Sequence, residues 1–347
     1  MSDTATLAAP AAAAIARPPS RAQRISDRAF LAFCRGFAGL SLLLAAFIIF
    51  KIALTAAPAV REEGLHFLTS RTWDPNQGAY GILPEIWGTL YTSLLALIVG
   101  GAFGIAAAIF LAEGYLAAGV FAALKAFSLA YKPLWRDLPD RVEDLLRNLI
   151  ELLAAIPSVV YGLWGLFVII PLIRPACNWT HARLGWIPFF GTTLSGPGVL
   201  PAVLVLSIMI LPTVTALSRD ALVAVPAKLR MAAYGMGATR WETITAVILP
   251  TAARGLFGAL VLAFGRALGE TMALAMLVGN SNKISLSLFS PANTLAALLA
   301  NNFPEAGPHE VRVLMYAALV LLGITLLVNV VGALILERAT AGLRGAR

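Results

Sequence analysis

Charge is scarce in this chain. Of 347 residues only 13% are Asp, Glu, Lys or Arg, with 18 acids against 26 bases. Ordinary soluble domains carry about a quarter charged residues, so an ordinary soluble domain is excluded. Cysteine is nearly absent. Cys34 falls in an apolar run and Cys177 in an expected external loop, so no disulfide is expected and no redox compartment follows. Three histidines, His66, His181 and His309, are scattered over segments expected to be external loops, and no Cys/His spacing suits a metal. No Gly-Lys-Ser or Gly-Lys-Thr occurs, so there is no P-loop to cradle ATP. Neither a paired acid and base nor a nucleophile constellation is present, so no catalytic residue and no cofactor are expected. A signal peptide is not expected either, because the cations of the N-terminal tail follow its Ala-rich stretch instead of preceding it.

What the chain has instead is apolar length. Hydrophobic residues make up 59%, and the mean hydropathy is +0.82. Six runs are long enough to cross a bilayer: Phe30–Lys51, Gly88–Leu111, Leu149–Ile173, Leu200–Leu217, Ala252–Leu277 and Val313–Leu336. The fold class is therefore all-α, a polytopic helical membrane protein with six transmembrane helices. Its expected layout is a disordered tail over 1–28, then the first span and an external loop over 29–87. A five-span core follows over 88–337, with a loop at 218–250, and a tail over 338–347. Tyr115–Tyr131 is apolar but short and carries Lys125. It reads as an interfacial helix, since a seventh span would flip everything after it.

The excess of bases orients the protein. If both termini share one side, that side holds seventeen of the cations, among them Arg17, Arg21, Arg136, Arg147, Arg230, Arg240 and Arg347. The other side holds six: Arg61, Arg71, Arg174, Arg183, Lys283 and Arg312. This positive-inside asymmetry places both termini in the cytoplasm. The net charge of +8 is thereby accounted for, and no nucleic-acid module is visible.

Two charges lie inside an apolar run, in Gly265-Arg266-Ala267-Leu268-Gly269-Glu270-Thr271-Met272-Ala273. The run Ala252–Leu277 would span roughly 39 Å as one helix, with Arg266 near its middle and Glu270 one turn on. The i, i+4 spacing puts both on one face, where they can pair. Charges at that depth cost at least about 2.5–3.5 kcal/mol each, so they face protein or a pathway. Two readings stay open: an anion pathway, or a neutral pair that glues helices. Pro157, Gly162 and Gly165 either shape a helix and allow close packing or break a pathway-lining helix. The tryptophans Trp73, Trp87, Trp164, Trp179 and Trp186 read as interfacial anchors, and Glu151 as a helix-start residue near headgroups.

The loop before the fifth span has local design. Pro226 suits the first turn of a helix over Ala227–Met236, and Gly237 suits a left-handed stop. Thr239 and Glu242 form a capping-box pattern that starts a second short helix. Two short helices in such a turn suit docking into a partner's groove.

Met231-Ala232-Ala233-Tyr234-Gly235-Met236-Gly237-Ala238-Thr239-Arg240-Trp241-Glu242 with Ile248-Leu249-Pro250 resembles the "EAA" coupling loop of ABC-importer permeases. Met231 stands where that family usually has Glu. Ala154-Ala155-Ile156-Pro157-Ser158-Val159-Val160-Tyr161-Gly162-Leu163-Trp164-Gly165-Leu166-Phe167 resembles the third-span signature of phosphate-importer permeases. The stretch Gly265–Ala273 with Gly279-Asn280 is similar to the PstC type more than to PstA. Phe67-Leu68-Thr69-Ser70, Trp73, Pro75, Gly78 and Leu83-Pro84 agree with this. The likeness covers about Phe30 to Leu336, with residues 114–147 longer than the family usually has.

The resemblance implies a type I ABC-importer permease in the bacterial inner membrane, forming half of a phosphate pathway. Implied partners are a PstA-type permease subunit, an ABC ATPase dimer that binds the ATP, and a periplasmic phosphate-binding protein, besides membrane lipid. Ala232, Ala233, Gly237, Thr239, Trp241 and Glu242 would dock the ATPase. Arg266 would meet phosphate with its guanidinium fork, and Glu270 would accept a hydrogen bond from a proton-bearing phosphate oxygen, which sulfate lacks near neutral pH. The alternatives are a proton-coupled secondary anion carrier and a permease for a different oxyanion.

Overall fold

The structure is a computed structural model that describes residues 20–115 and 138–344. The expected interfacial helix over 115–131 lies almost wholly outside the described residues. By their contacts the residues divide into two units, one ending at Leu54 and one beginning at Thr55. The architecture is helical, and among the described residues the only β-type pairing is an isolated bridge between Asp74 and Ala79.

Among the described residues, six helices are long and apolar enough to cross a membrane. They are α1 (Arg21–Glu63), α3 (Leu83–Ala112), α5 (Ser158–Leu184), α6 (Val199–Val223), α8 (Arg240–Leu268) and the apolar part of α11 (Pro308–Arg344). Shorter helices join them: α2 (His66–Thr69), α4 (Leu138–Ala155), α7 (Ala227–Gly235), α9 (Met272–Leu277) and α10 (Leu295–Asn302).

The six spans stand near their expected places, but three boundaries move, each for a local reason. Residues 21–28, expected to belong to the tail, are helical, because α1 begins at Arg21. There Ser20 and Gln23 cap it reciprocally, Gln23 N–H on Ser20 Oγ at 3.2 Å and Ser20 N–H on Gln23 Oε1 at 2.8 Å. The third span is not Leu149–Ile173. Pro157 lacks an N–H and holds extended backbone (φ −59°, ψ 141°), so the helix stops at Ala155 and restarts at Ser158. Tyr161 bridges the break by donating its hydroxyl to the freed carbonyl of Leu153 at 2.8 Å. The new helix runs on through Pro175 to Leu184. Arg174, Cys177 and Asn178 are therefore helical, not in a loop. Cys177 is buried beside Leu194 and Phe289, while Cys34 is exposed on α1, and both thiols are free. His181 and His309 also sit in helices, with His181 Nδ1 2.7 Å from the Phe190 carbonyl oxygen. The third change, at Arg266 and Glu270, is a break in the fifth span.

Within the first unit, Phe30, Phe33, Phe37, Leu42, Leu43 and Phe50 of α1 are all exposed. That apolar exterior is what lipid demands. In the second unit the closest helix pair is α3 with α6. Small residues at four-residue spacing, Ala96, Gly100, Gly104 and Ala108, make the seam on α3. A Cβ on Gly100 would stand 2.7 Å from the Ser207 carbonyl oxygen, and one on Gly104 would stand 2.7 Å from Val214 Cβ. Without those carbons the backbones approach closely, as small-residue seams permit in lipid. Two hydroxyls cross it: Ser207 donates to the Ala96 carbonyl at 3.3 Å and Thr215 to that of Gly104 at 3.2 Å.

The main core gathers α3, α5, α6, α8 and α9 around Leu206, Ile210, Ala263, Ala267, Leu274 and Leu277. At one end lies a second cluster, where Phe67 stacks on Tyr316 at 4.5 Å beside Tyr80 and Val313. At the other end Leu222, Val225, Ile244 and Ile248 form a third, under the turn that joins α6 to α8.

Candidate functional site: a surface knob and a broken span

The turn between α6 and α8 folds as its sequence suggests. Pro226 precedes α7, which ends in a Schellman motif. The Ala238 N–H reaches the Ala233 carbonyl at 3.1 Å and the Gly237 N–H that of Tyr234 at 3.0 Å. Gly237 carries φ +87°, the left-handed region that a Cβ disfavours. Thr239 then caps α8. Its N–H donates to Glu242 Oε2 at 2.7 Å, and the Glu242 N–H returns to Thr239 Oγ1 at 3.3 Å.

What this fold presents is apolar and bare. Met231, Tyr234, Met236 and Trp241 are exposed, Met236 at 83%. Ala232 is exposed beside them, whereas Ala233 is buried and packs α7 down. Met231, at the position where a Glu was expected, thus adds to the apolar face.

The knob is pinned from below by Arg230 and Arg240, two cations of the positive-inside excess. Arg230 donates through Nη1 to Glu113 Oε1 at 2.6 Å and through Nη2 to the Leu222 carbonyl at 2.8 Å. Arg240 donates to the Glu113 carbonyl and lies over the Tyr115 ring at 4.3 Å. Glu113 is the C-cap of α3 and almost wholly buried. One acid thus ties the first and last turns of the knob to the end of α3. Sequence spacing carries no sign of this, although an acid closing an apolar run before Gly114 was a visible clue.

The second locus corrects the expected helix across Arg266 and Glu270. The chain leaves the helix after Leu268 and re-enters it at Met272. Gly269, a poor helix residue, closes α8 by donating its N–H to Ala267. Glu270 lies in the break, so i, i+4 geometry does not apply and the two side chains do not form an ion pair. Arg266 turns to α6, with Nη1 3.5 Å from Thr213 Oγ1. Glu270 instead accepts the Ala273 N–H at 3.4 Å through Oε1. Arg266 and Gly269 are exposed, and Glu270 and Thr271 are half-buried.

Gly162 and Gly165 let α9 pack against α5. A Cβ on Gly162 would meet Met276 Sδ at 2.7 Å, and one on Gly165 would meet Leu277 Cδ1 at 2.7 Å. Close packing is what they provide, and Pro157 sets where that helix begins. A cavity of about 300 Å³ opens between α3, α4 and α6, with Arg147, Glu151, Thr213, Thr215, Arg219 and Asp220 in its wall. Among the described residues no cluster of His, Cys, Asp and Glu is arranged to hold a metal ion.

The class the fold defines is a polytopic helical membrane protein, with a bare knob at one end of α8 and a broken span carrying Arg266 and Glu270 at the other. The chain belongs to the family of binding-protein-dependent transport system inner membrane components, whose model matches residues 115–340. It is 36% identical to the phosphate transport system permease protein PstC of Mesorhizobium japonicum, over 91% of this chain and 92% of that protein. It is 37% identical to the protein of the same name from Haemophilus influenzae, over 87% of this chain and 90% of that one. The fold is also that of a solved chain of the inward-facing MetNI methionine ABC transporter. There the TM-score is 0.51 at 16% identity, covering 77% of this chain and 99% of the other. This is the fold of an ABC-importer permease, in a multi-pass protein of the inner membrane.

Proposed function

We propose that this chain is the PstC-type permease subunit of an ATP-driven phosphate importer, forming half of the phosphate pathway. The names of the relatives, "phosphate transport system permease protein", support the substrate. The single observation that carries the mechanism is the break at Gly269–Thr271. Irregular backbone at membrane depth persists only where it is buried in protein or lines a water-filled path. A guanidinium at that break suits an oxyanion, matching two phosphate oxygens with its fork.

The knob is the docking point for a cytoplasmic ABC ATPase dimer, which binds and hydrolyses the ATP. Met231, Ala232, Tyr234, Met236 and Trp241 supply its apolar contact, on a scaffold fixed by Ala233, Gly237, Thr239 and Glu242. Closure of the ATPases pushes the knob, and its tie to α3 through Glu113 carries that push into the main helix seam. The knob side is then the cytoplasm, with both termini there, in line with the cation excess. A PstA-type subunit completes the pathway, and a periplasmic phosphate-binding protein delivers the anion. This chain itself performs no catalysis, holds no cofactor and binds no nucleic acid. A self-contained proton-coupled carrier leaves the knob without a purpose.

The test is uptake of labelled phosphate by the reconstituted four-component complex. Uptake that needs ATP and the binding protein supports the reading. Uptake driven by a proton gradient without ATP refutes it, and preference for a different oxyanion refutes the substrate.

A further inference from the structure

We infer that the cavity between α3, α4 and α6 is a weak release site for the transported oxyanion, held by Arg219 and the Thr213 hydroxyl. The inference rests on the reading that Arg266 meets the anion in transit.

The geometry begins with Thr213. Its Oγ1 lies 3.5 Å from Arg266 Nη1, and the same residue lines the cavity on the knob side of the break. As an acceptor from Arg266, the hydroxyl still has its own proton to donate, and no acceptor takes it among the described residues. Thr213 therefore touches the pathway arginine and the cavity at once.

Charge within the cavity points the same way. Arg147 is neutralised by Glu151 at 3.0 Å. Thr215 is committed to the Gly104 carbonyl. Arg219, half-buried, has no carboxylate partner among the described residues. It stands six positions beyond Thr213 on α6, roughly 9 Å further along the axis. The volume of about 300 Å³ admits an oxyanion with part of its hydration, since one water takes about 30 Å³. Asp220 in the same wall opposes tight binding. That suits an exit, because conduction requires sites that bind well enough to enter and weakly enough to leave. The anion passes from the Arg266 fork to Thr213, then to Arg219, and then to water.

The experiment uses the full reconstituted complex carrying Cys34→Ser, Cys177→Ala and Ala216→Cys, since Ala216 is exposed in the cavity wall. The readout is the rate at which an anionic sulfonate thiol reagent labels Cys at position 216 from the knob side. Phosphate is compared with chloride at equal ionic strength. Phosphate at ten times its dissociation constant should slow labelling about tenfold. Arg219→Gln should abolish that protection, and Arg266→Gln should keep it while losing uptake. Protection that survives Arg219→Gln, or that never appears, overturns the site. Normal uptake by Arg266→Gln sinks the pathway reading separately, because labelling does not depend on turnover. The assay is repeated in nanodiscs with and without phosphatidylglycerol. Protection by that lipid alone would mean a headgroup occupies the cavity, and overturns release of the free anion.

Discussion

Arg230 and Glu113 meet at 2.6 Å although 117 positions separate them. Their contact joins the first turn of the knob to the last turn of α3, and α3 is the helix most closely packed on α6. A displacement of the knob is thus a displacement of the main helix seam. Because Glu113 is nearly buried and also takes Arg240 on its carbonyl, the joint resists bending.

Glu113→Ala should loosen the knob without unfolding the spans. Leaving Arg230 unpaired costs about 1–3 kcal/mol. The check is limited proteolysis near Arg230 together with co-purification of the ATPase. Exchanging the pair, Glu113→Arg with Arg230→Glu, should restore part of the protection. Unchanged proteolysis in Glu113→Ala would remove the joint from the mechanism.

Gly237→Asp should leave the protein in the membrane yet separate it from the ATPase. A Cβ at φ +87° costs on the order of 1 kcal/mol, and the added charge stands beside an apolar contact. Gly237→Ala isolates the backbone strain and should lose less. Normal ATPase binding and uptake in Gly237→Asp would show that the knob does not couple.

Arg266 and Glu270 can be tested singly, because each has a partner other than the other. Arg266→Gln should assemble, sustain ATP hydrolysis and fail to move phosphate. Glu270→Gln should blunt the preference for phosphate over sulfate. The double variant Arg266→Gln with Glu270→Gln should fail as Arg266→Gln does. Near-normal uptake by a well-expressed double variant would show that both charges are structural.

Topology reporters placed before Arg21, after Arg230 and at Arg347 should read cytoplasmic. Reporters at Gly191, beyond the end of α5 at Leu184, and at Gly307 should read external. A periplasmic reading after Arg230 would overturn the orientation and the knob's role together.

Gly104→Leu should destabilise the α3–α6 seam, where a Cβ would already crowd Val214. Overpacking of this kind costs about 1–3 kcal/mol. The measure is the thermal midpoint of the purified subunit in detergent. A midpoint equal to the parent's would mean that the two helices separate easily.

The class of the protein was legible in the sequence because its causes are local or compositional. Apolar length sets the spans, since lipid forbids unpaired backbone. The turn at Pro226–Glu242 was legible to the level of single hydrogen bonds, because caps and left-handed stops act within a few residues. Extents were less legible where distant partners decide them. Apolar counting ran through Ile156-Pro157, although Tyr161 and the Leu153 carbonyl hold a break there. Periodicity alone likewise runs one helix through Arg266 and Glu270, where the two can pair. Only the tertiary structure decided that Arg266 turns to Thr213, that Glu113 anchors two arginines, and that Arg219 lines a cavity. Each depends on contact between residues more than 50 positions apart, or on which helices meet. Sequence order carries no record of such contacts, because it is packing that brings those side chains together.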